Sequence, residues 1–218
     1  MLTLLAFLSL CGACATGLRW WLRRVDSLGR RRAFPACSTA VLALLAVVLA
    51  TPGVRRELAE RRLESAAGVL AGRSVDVECQ TLGGAFVDGG AELGYVRFDS
   101  AGRPEPATLL KYEPCRDLMA WLRSDKSSPS PQQVVAVHVL AHEAMHMRGL
   151  SDEARTECAA VQRDAQVARL LGASADEALA LARAYWVSSY DRLPDAYRSA
   201  ECRRGGALDE SLPDPPWG

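Results

Sequence analysis

Two long stretches without charged residues begin the chain, and an arginine-rich segment separates them. Residues 1–18 and 33–54 contain no charged side chain, whereas residues 19–32 contain six arginines. A helix needs about 20 apolar residues to cross the hydrocarbon of a bilayer, so the pattern predicts two membrane-spanning helices. Because short arginine-rich loops stay in the cytoplasm, we expect residues 55–218 to lie on the other side of the membrane.

A secretory signal sequence is the alternative interpretation of this region. Residues 19–32 would then be its charged part, residues 40–49 its apolar part, and Val48-Leu49-Ala50 its small-residue cleavage site. Both interpretations place residues 55–218 outside the cytoplasm.

Beyond residue 54 the hydrophobic pattern predicts an α+β fold that is mainly helical. Alternating segments, rich in β-branched and aromatic residues, predict the strands of a small sheet: 74–79, 93–99 and 108–112. Longer segments with helical start and stop signals predict helices: 55–71, 114–124, 131–148, 151–171 and 174–189. The predicted architecture is a helical domain with a small sheet, preceded by the membrane helices.

The predicted helix 131–148 carries apolar residues on almost all of its faces, which is typical of a buried central helix. Ser130 suits the N-cap and Gln133 completes a capping box. Gly149 suits a left-handed stop after the helix. We expect Ser151 to cap the helix that follows.

Charge divides the chain at about the same place as hydropathy. Of 218 residues, 49% are apolar and 24% charged, with a net charge of zero, which excludes collagen-like and disordered classes. Residues 1–54 hold six basic and one acidic side chain, whereas residues 55–218 hold 20 basic and 25 acidic ones. Without a net positive field we expect no nucleic-acid partner. We therefore expect a membrane segment, 1–54, and an extracytoplasmic domain, 55–218.

Four of the seven cysteines lie in the expected extracytoplasmic domain: Cys79, Cys115, Cys158 and Cys202. An even number of cysteines in an exported domain predicts two disulfides. Three pairings are possible. We expect the two early cysteines to pair with each other and the two late ones likewise; four buried free thiols are the alternative.

The three histidines of the chain, at 138, 142 and 146, lie within nine residues of the predicted central helix. His142, Glu143 and His146 form an HExxH motif. Residues four apart share a helix face, so both imidazoles can reach one zinc ion, and the glutamate between them can act on its water. An unpaired glutamate on so apolar a helix would cost several kcal/mol, which favours a functional site over a structural polar stripe.

Over residues 142–160 the chain resembles the zincin metallopeptidases, and as a whole it resembles uncharacterised actinobacterial membrane-anchored proteins with this motif. The resemblance implies a zincin-like active-site helix pair, with His142 and His146 as Zn²⁺ ligands and Glu143 as general base. It also implies a membrane-anchored metalloendopeptidase whose partners are a peptide or protein substrate and the lipid membrane.

Three acidic residues are candidates for the third zinc ligand. Asp152 completes a pattern similar to the snapalysin variant of the metzincins, but no methionine follows Met147 to form the turn of that clan. The following residues are similar to the thermolysin-type gluzincin pattern. That pattern implies that Glu153 binds the metal and that Glu157, four residues later, supports a histidine.

Helix geometry favours Glu157 instead. A tight turn at 149–151 makes the two helices antiparallel neighbours, and side chains tilt toward the start of their own helix. The deeper Glu157 then meets His142 and His146 more directly. We therefore expect Glu157 as the third ligand and Glu153 as an alternate ligand or a supporting residue.

Other polar residues near the motif have structural interpretations. His138 lies about 12 Å from His146 along the helix, too far to share one metal, so we expect a hydrogen-bonded core or cleft-edge histidine. Cys158 points about 100° away from Glu157 around a helix, which favours a disulfide over metal binding. Tyr185 and Tyr190 are candidate oxyanion donors, but their helical spacing is typical of core residues and we assign neither.

These patterns predict a membrane-anchored, extracytoplasmic zinc-dependent peptidase. The strand 93–99 is a candidate edge for pairing with an extended substrate. The alternative is a non-catalytic, membrane-tethered binding or scaffold module with a structural metal site. The two functions differ in ligand number, because a structural zinc is closed by four protein ligands and a catalytic zinc keeps one position open.

Overall fold

The computed structural model describes residues 2–25, 27–88, 90 and 92–217. Helices hold 59% of the chain and the described residues contain one three-stranded sheet, which confirms a mainly helical α+β fold. The chain divides into two compact units, Met1–Leu58 and Ala59–Gly218.

The first unit contains helix α1, Leu2–Leu22, and the first part of helix α2, Ala36–Ala71. The hydroxyl oxygens of Thr16 and Thr39 lie 3.3 Å apart, so the two helices contact each other. Most of their large apolar side chains are exposed, and both helices are long and apolar enough to cross a membrane. Helix α2 includes the segment 55–71, which the sequence predicted as a helix leaving the membrane.

The sheet of the second unit has the strand order β1-β3-β2, with β1 parallel and β2 antiparallel to β3. Its elements in chain order are β1 (Asp76–Cys79), the short helix α3 (Leu82–Ala85), β2 (Gly94–Phe98) and β3 (Pro104–Leu110). The third strand begins and ends before the predicted 108–112. Proline is tolerated at the start of a strand, where Pro104 lies. Tyr112 instead begins helix α4, Tyr112–Arg123, and its backbone N–H donates to the Gln80 side chain at 3.1 Å.

Helix α5, Pro131–Arg148, forms the centre of the second unit, with almost every residue from Val134 to Met147 buried. The predicted capping box at Ser130 is present, and Gly149 ends the helix with a φ of 116°. Around α5 pack the sheet, α4 and three further helices: α6 (Glu153–Val161), α7 (Asp164–Leu170) and α8 (Ala175–Ser188). Two 3₁₀ turns follow α8: Tyr190–Arg192 and Asp195–Tyr197.

The helix predicted over 151–171 is in fact two helices, α6 and α7. Asp152, not Ser151, caps α6, because its carboxylate accepts a backbone N–H of the first turn at 2.9 Å. The helical conformation is interrupted at Gln162 and Arg163. Both side chains donate to backbone carbonyls one turn earlier, each at 2.8 Å, and this stabilises the break.

Both predicted disulfides are confirmed. Cys79 on β1 is bonded to Cys115 on α4, and Cys158 on α6 is bonded to Cys202 near the C-terminus. The Cα atoms of the two pairs lie 5.7 and 5.6 Å apart, within the usual range for disulfides. The first bond links the sheet to α4, and the second fixes the C-terminal segment to α6.

Candidate metal centre

Helix α5 presents His142 and His146 on one face, with their Nε2 atoms 3.0 Å apart. The other ring nitrogen of each histidine faces an acceptor. Nδ1 of His142 lies 2.9 Å from Oε2 of Glu157, and Nδ1 of His146 lies 2.8 Å from the backbone oxygen of Leu150. Both Nδ1 atoms therefore donate a proton to these acceptors, which leaves Nε2 of each ring as the atom for a metal.

Glu153 is the carboxylate that faces both Nε2 atoms. Its Oε2 lies 3.2 Å from Nε2 of His142 and 3.4 Å from Nε2 of His146. Ligand atoms at about 2.0–2.1 Å from one tetrahedral zinc lie about 3.3 Å from each other. The two nitrogens and this oxygen therefore have the separations that a zinc ion needs.

In the structure Glu153, not Glu157, faces the Nε2 pair, whereas helix geometry predicted Glu157 at this place. Glu157 contacts His142 through Nδ1, on the side of the ring away from the Nε2 pair. The connection between α5 and α6 explains the difference. Because the Leu150 carbonyl is bonded to His146, this connection lies against α5. Glu153, the first residue of α6, then begins beside the histidines, and Glu157 lies one turn deeper.

Glu157 is buried and accepts hydrogen bonds from three side chains. Its Oε2 accepts from Nδ1 of His142 at 2.9 Å and from Nε2 of His138 at 3.0 Å, and its Oε1 accepts from the Tyr185 hydroxyl at 2.8 Å. Burial acts to raise the pKa of Glu157, but the charge of His138 and these hydrogen bonds lower it well below its ordinary value. Glu157 is therefore a fixed anion inside the protein.

His138 lies between two buried carboxylates. Its Nε2 faces Glu157, and its Nδ1 lies 3.1 and 3.0 Å from the two oxygens of Asp164. Its ring stacks on that of Tyr185 with the centroids 3.6 Å apart. Burial acts to lower the pKa of His138, but Asp164 and Glu157 together raise it to about 10. His138 is thus a hydrogen-bonded core histidine, as expected.

A second group of ligand atoms lies deeper than the first. His138, His142 and Glu157 offer atoms within 4.8 Å of one another. Both nitrogens in this group point at the same carboxylate oxygen and serve as its hydrogen-bond donors. The group of His142, His146 and Glu153 is the better metal site, because its nitrogens do not serve as hydrogen-bond donors to the buried Glu157.

Glu143 points from α5 toward the edge strand β2. It is buried, and its Oε2 lies 3.5 Å from the Thr108 hydroxyl on β3. Gly94 on β2 leaves the space that this carboxylate occupies, since a Cβ added there would lie 2.9 Å from Oε1 of Glu143. Burial raises the pKa of Glu143 to about 7, against the opposing charge of His142. Such a pKa suits a group that takes up and releases a proton at neutral pH.

A cleft of about 410 Å³ lies over these side chains, between β2, helices α5 and α6 and the segment after α8. Apart from the histidines, the ionisable side chains that line it, among the residues described, are four glutamates and three tyrosines: Glu92, Glu143, Glu153, Glu157, Tyr95, Tyr185 and Tyr197. Its apolar lining includes Val96, Phe98, Val135, Val139, Leu193 and Pro194. The Glu153 side chain is 38% exposed, so solvent reaches the Nε2 pair.

The other residues considered in the sequence analysis have structural partners. Asp152 caps α6. The hydroxyl of Tyr185 donates to Glu157, and that of Tyr190 accepts the backbone N–H of Ser199 at 3.1 Å. Cys158 is in a disulfide, as expected.

Four residues of the site were not assigned to it from the sequence: Gly94, Thr108, Asp164 and Tyr197. Asp164 begins α7, beyond the break that ends α6, so a continuous helical spacing from Glu157 does not place it. Strand pairing brings Gly94 and Thr108 to the site, and a 3₁₀ turn brings the Tyr197 ring to 6.0 Å from that of His142. Local patterns carry no signal for these contacts.

Comparison of the chain with protein-family models, with curated proteins and with solved structures gives no match.

The raised pKa of Glu143 predicts that the stability of the metal-free protein depends on pH. An unfolded glutamate loses its proton near pH 4.5, whereas folded Glu143 keeps its proton up to about pH 7. The stabilisation that this proton provides is complete below pH 4.5 and is lost as the pH rises through 7. We expect Glu143→Gln to be more stable than the wild type by up to about 3 kcal/mol near pH 8, and not near pH 4.5.

Thermal unfolding of the metal-free full chain in detergent micelles, followed by near-UV circular dichroism across this pH range, measures the effect. Glu105→Gln, which changes an exposed glutamate on β3, is the matched control and should follow the wild type. A stability difference between Glu143→Gln and the wild type that stays constant with pH would contradict the prediction.

Proposed function

We propose that the second unit is a zinc-dependent peptidase that hydrolyses peptide bonds. The observation that carries the proposal is the convergence of Nε2 of His142, Nε2 of His146 and Oε2 of Glu153 in a cleft that Glu143 also lines. Two imidazole nitrogens and one carboxylate oxygen are a ligand set of catalytic zinc sites, in which the fourth position stays open to water or substrate.

In this proposal Glu153 is the third ligand and Glu157 supports His142. The separations of 3.2 and 3.4 Å from Glu153 to the two Nε2 atoms support its role. The bond from Nδ1 of His142 to Glu157 supports the other role, because a carboxylate on the far nitrogen fixes the tautomer and the direction of a ligating imidazole. This division of roles is the one that the thermolysin-type resemblance implies.

Zinc bound at these residues supplies Lewis-acid chemistry, lowering the pKa of a water and polarising the scissile carbonyl. Glu143 carries the proton. The buried carboxylate accepts a proton from the attacking water and delivers it to the leaving amine, a role that its raised pKa in the metal-free protein supports. The Thr108 hydroxyl lies beside this carboxylate, and Gly94 leaves room for it.

The walls of the cleft support an extended peptide as the substrate. Strand β2 pairs with β3 on one side and is an edge strand of the described sheet. Its other edge offers backbone donors and acceptors to a peptide that lies alongside. Apolar side chains suit the apolar lining, and the glutamates of the cleft disfavour acidic ones. We therefore propose substrates with neutral or basic residues around the scissile bond.

The cell membrane is the proposed location, with residues 55–218 outside the cytoplasm. The two apolar helices support membrane attachment. The arginines between them support a cytoplasmic connection. The two disulfides support an oxidising environment for the peptidase unit.

A non-catalytic scaffold with a structural zinc is the alternative. A structural site would need four protein ligands. Within the described part of the chain, three ligand atoms converge at the Nε2 pair, because Glu157 is turned to Nδ1 of His142. This arrangement favours catalysis over the scaffold.

Glu153→Gln is expected to weaken zinc binding more than Glu157→Gln. The first variant removes a ligand charge, whereas the second removes the support of His142, which is worth about 10–100-fold in affinity. Zinc dissociation constants from competition with a chromophoric chelator, measured on the full chain in detergent micelles, compare the two. Asp152→Asn, which keeps a capping side chain, should bind zinc like the wild type. An equal loss in the two glutamate variants, or a larger one in Glu157→Gln, would count against the assignment.

The zinc-loaded full chain is expected to cleave members of a mixed peptide library. Glu143→Gln should bind zinc normally and lose about 10²–10⁴-fold in kcat/KM, because it removes the proton carrier and no ligand. Mass spectrometry of the peptides, with zinc content measured on the same samples, provides both readouts. Tight zinc binding without cleavage by the wild type would support the scaffold instead.

Gly94→Ala is expected to lower kcat/KM by about 100-fold while zinc affinity stays the same. The added Cβ would lie 2.9 Å from Oε1 of Glu143 and displace the carboxylate, and small displacements of a catalytic group have effects of this size. Gly83→Ala is the matched control, because its Cβ would meet nothing closer than 4.0 Å. Unchanged activity in Gly94→Ala would show that Glu143 does not need its observed position.

A further inference from the structure

Two buried ionisable residues, His138 and Asp164, have no part in the proposed mechanism. Their side chains are 3% and 0% exposed. Burying an imidazole and a carboxylate costs several kcal/mol per charge unless both are well hydrogen-bonded. Apolar residues of similar size would fill the same space without this cost, so the pair requires an explanation beyond packing.

The pair forms one end of a continuous hydrogen-bonded row that leads to the candidate metal site. Asp164 contacts Nδ1 of His138 at 3.0 Å, and Nε2 of His138 contacts Oε2 of Glu157 at 3.0 Å. The same Oε2 accepts from Nδ1 of His142 at 2.9 Å, and Nε2 of His142 belongs to the proposed ligand set. The row joins α7, α5 and α6 in turn.

The row fixes an oxygen that would otherwise be free to turn. A carboxylate rotates about its last side-chain bond, and a single hydrogen bond from His142 would hold Oε2 of Glu157 weakly. His138 adds a second bond to the same oxygen, and Tyr185 holds the other oxygen at 2.8 Å. Asp164, bonded through both of its oxygens, and the stacked Tyr185 ring fix the plane of His138.

We infer that His138 and Asp164 are positioning residues that hold Glu157 in the orientation in which it supports His142 as a metal ligand. This inference rests on the proposed zinc site and adds a layer of residues behind it. His138 and Asp164 act only through Glu157. Substitutions of the pair should therefore no longer change zinc affinity once Glu157 has ceased to support His142.

A double-mutant cycle on the full chain in detergent micelles tests the inference. His138→Phe/Asp164→Leu replaces the pair with apolar side chains and keeps a ring for stacking on Tyr185. We expect zinc affinity to fall about tenfold or more in the wild-type background, and to change less than twofold when Glu157→Gln is already present. The readouts are competition with a chromophoric chelator and the visible absorption of bound Co²⁺, which reports ligand geometry without any need for activity.

Further variants separate positioning from folding. Asp164→Asn is expected to keep near wild-type zinc affinity, because its amide can still hold Nδ1 of neutral His138 while Nε2–H donates to Glu157. Tyr185→Phe removes a donor to Glu157 and keeps the ring, and it should weaken zinc binding several-fold even if the apolar pair variant fails to fold. Asp117→Asn is the matched control. It weakens an ion pair with Arg116 on α4 and touches neither Glu157 nor the turn before Asp164, so zinc affinity should not change.

The outcomes distinguish this inference from the proposed function. A wild-type chain that does not bind zinc, or a Glu153→Gln variant that binds as well as the wild type, overturns the zinc site itself. Wild-type binding in the apolar pair variant, or an equal loss with and without Glu157→Gln, overturns the positioning role and leaves the zinc site standing. If the apolar pair variant does not fold, the same comparison with Asp164→Leu alone, which leaves His138 in place, decides.

Discussion

The buried carboxylate of Glu157 is the interaction on which the arrangement of the site depends. It accepts two N–H groups from α5 and one O–H from α8, while its own backbone belongs to α6. A charge in the protein interior is tolerated only when hydrogen bonds replace the water it has lost, and removing one partner of such a charge costs about 3–5 kcal/mol. The three helices can therefore pack in few other ways. The bond that fixes their packing also directs the Nε2 atom of His142.

His142 separates two environments across one imidazole ring. On the Nδ1 side lies the buried row of ionisable groups, and on the Nε2 side lie His146 and the partly exposed Glu153. Burial acts to lower the pKa of His142, but hydrogen bonds to Glu153 and Glu157 raise it to about 9. At neutral pH the metal-free His142 thus keeps a proton on Nε2, the atom that faces His146 and Glu153. A bound cation takes the place of that proton, so metal binding and proton release are linked.

Local patterns predicted the elements of the site better than its contacts. Both ends of helix α5 were predictable to the residue, because each end carries its own local signal. The signal at the start is the Ser130 capping box, and the signal at the end is the left-handed Gly149. The order of Glu153 and Glu157 was not predictable. It depends on the hydrogen bond between His146 and the Leu150 carbonyl, which positions the start of α6. A simple tight turn between α5 and α6 predicts the contact with the histidines one helical turn later, at Glu157 instead of Glu153. Gly94 reaches Glu143 only through strand pairing, and no local pattern encodes that contact.

The break between α6 and α7 shows how distant parts of the chain complete the site. A continuous helix is what the local sequence favours, but Gln162 also donates to the Leu208 carbonyl at 2.9 Å, and Arg163 pairs with Glu210. The disulfide from Cys158 fixes the same C-terminal segment to α6, at the residue next to Glu157. These hydrogen bonds, the ion pair and the disulfide fix the end of α6 and the start of α7. The turn between the two helices places Asp164 against His138. The far end of the chain therefore stabilises the deepest hydrogen bonds behind the candidate metal ligands. Oxidation of Cys158 and Cys202 thereby favours the same arrangement of α6 that the candidate site requires.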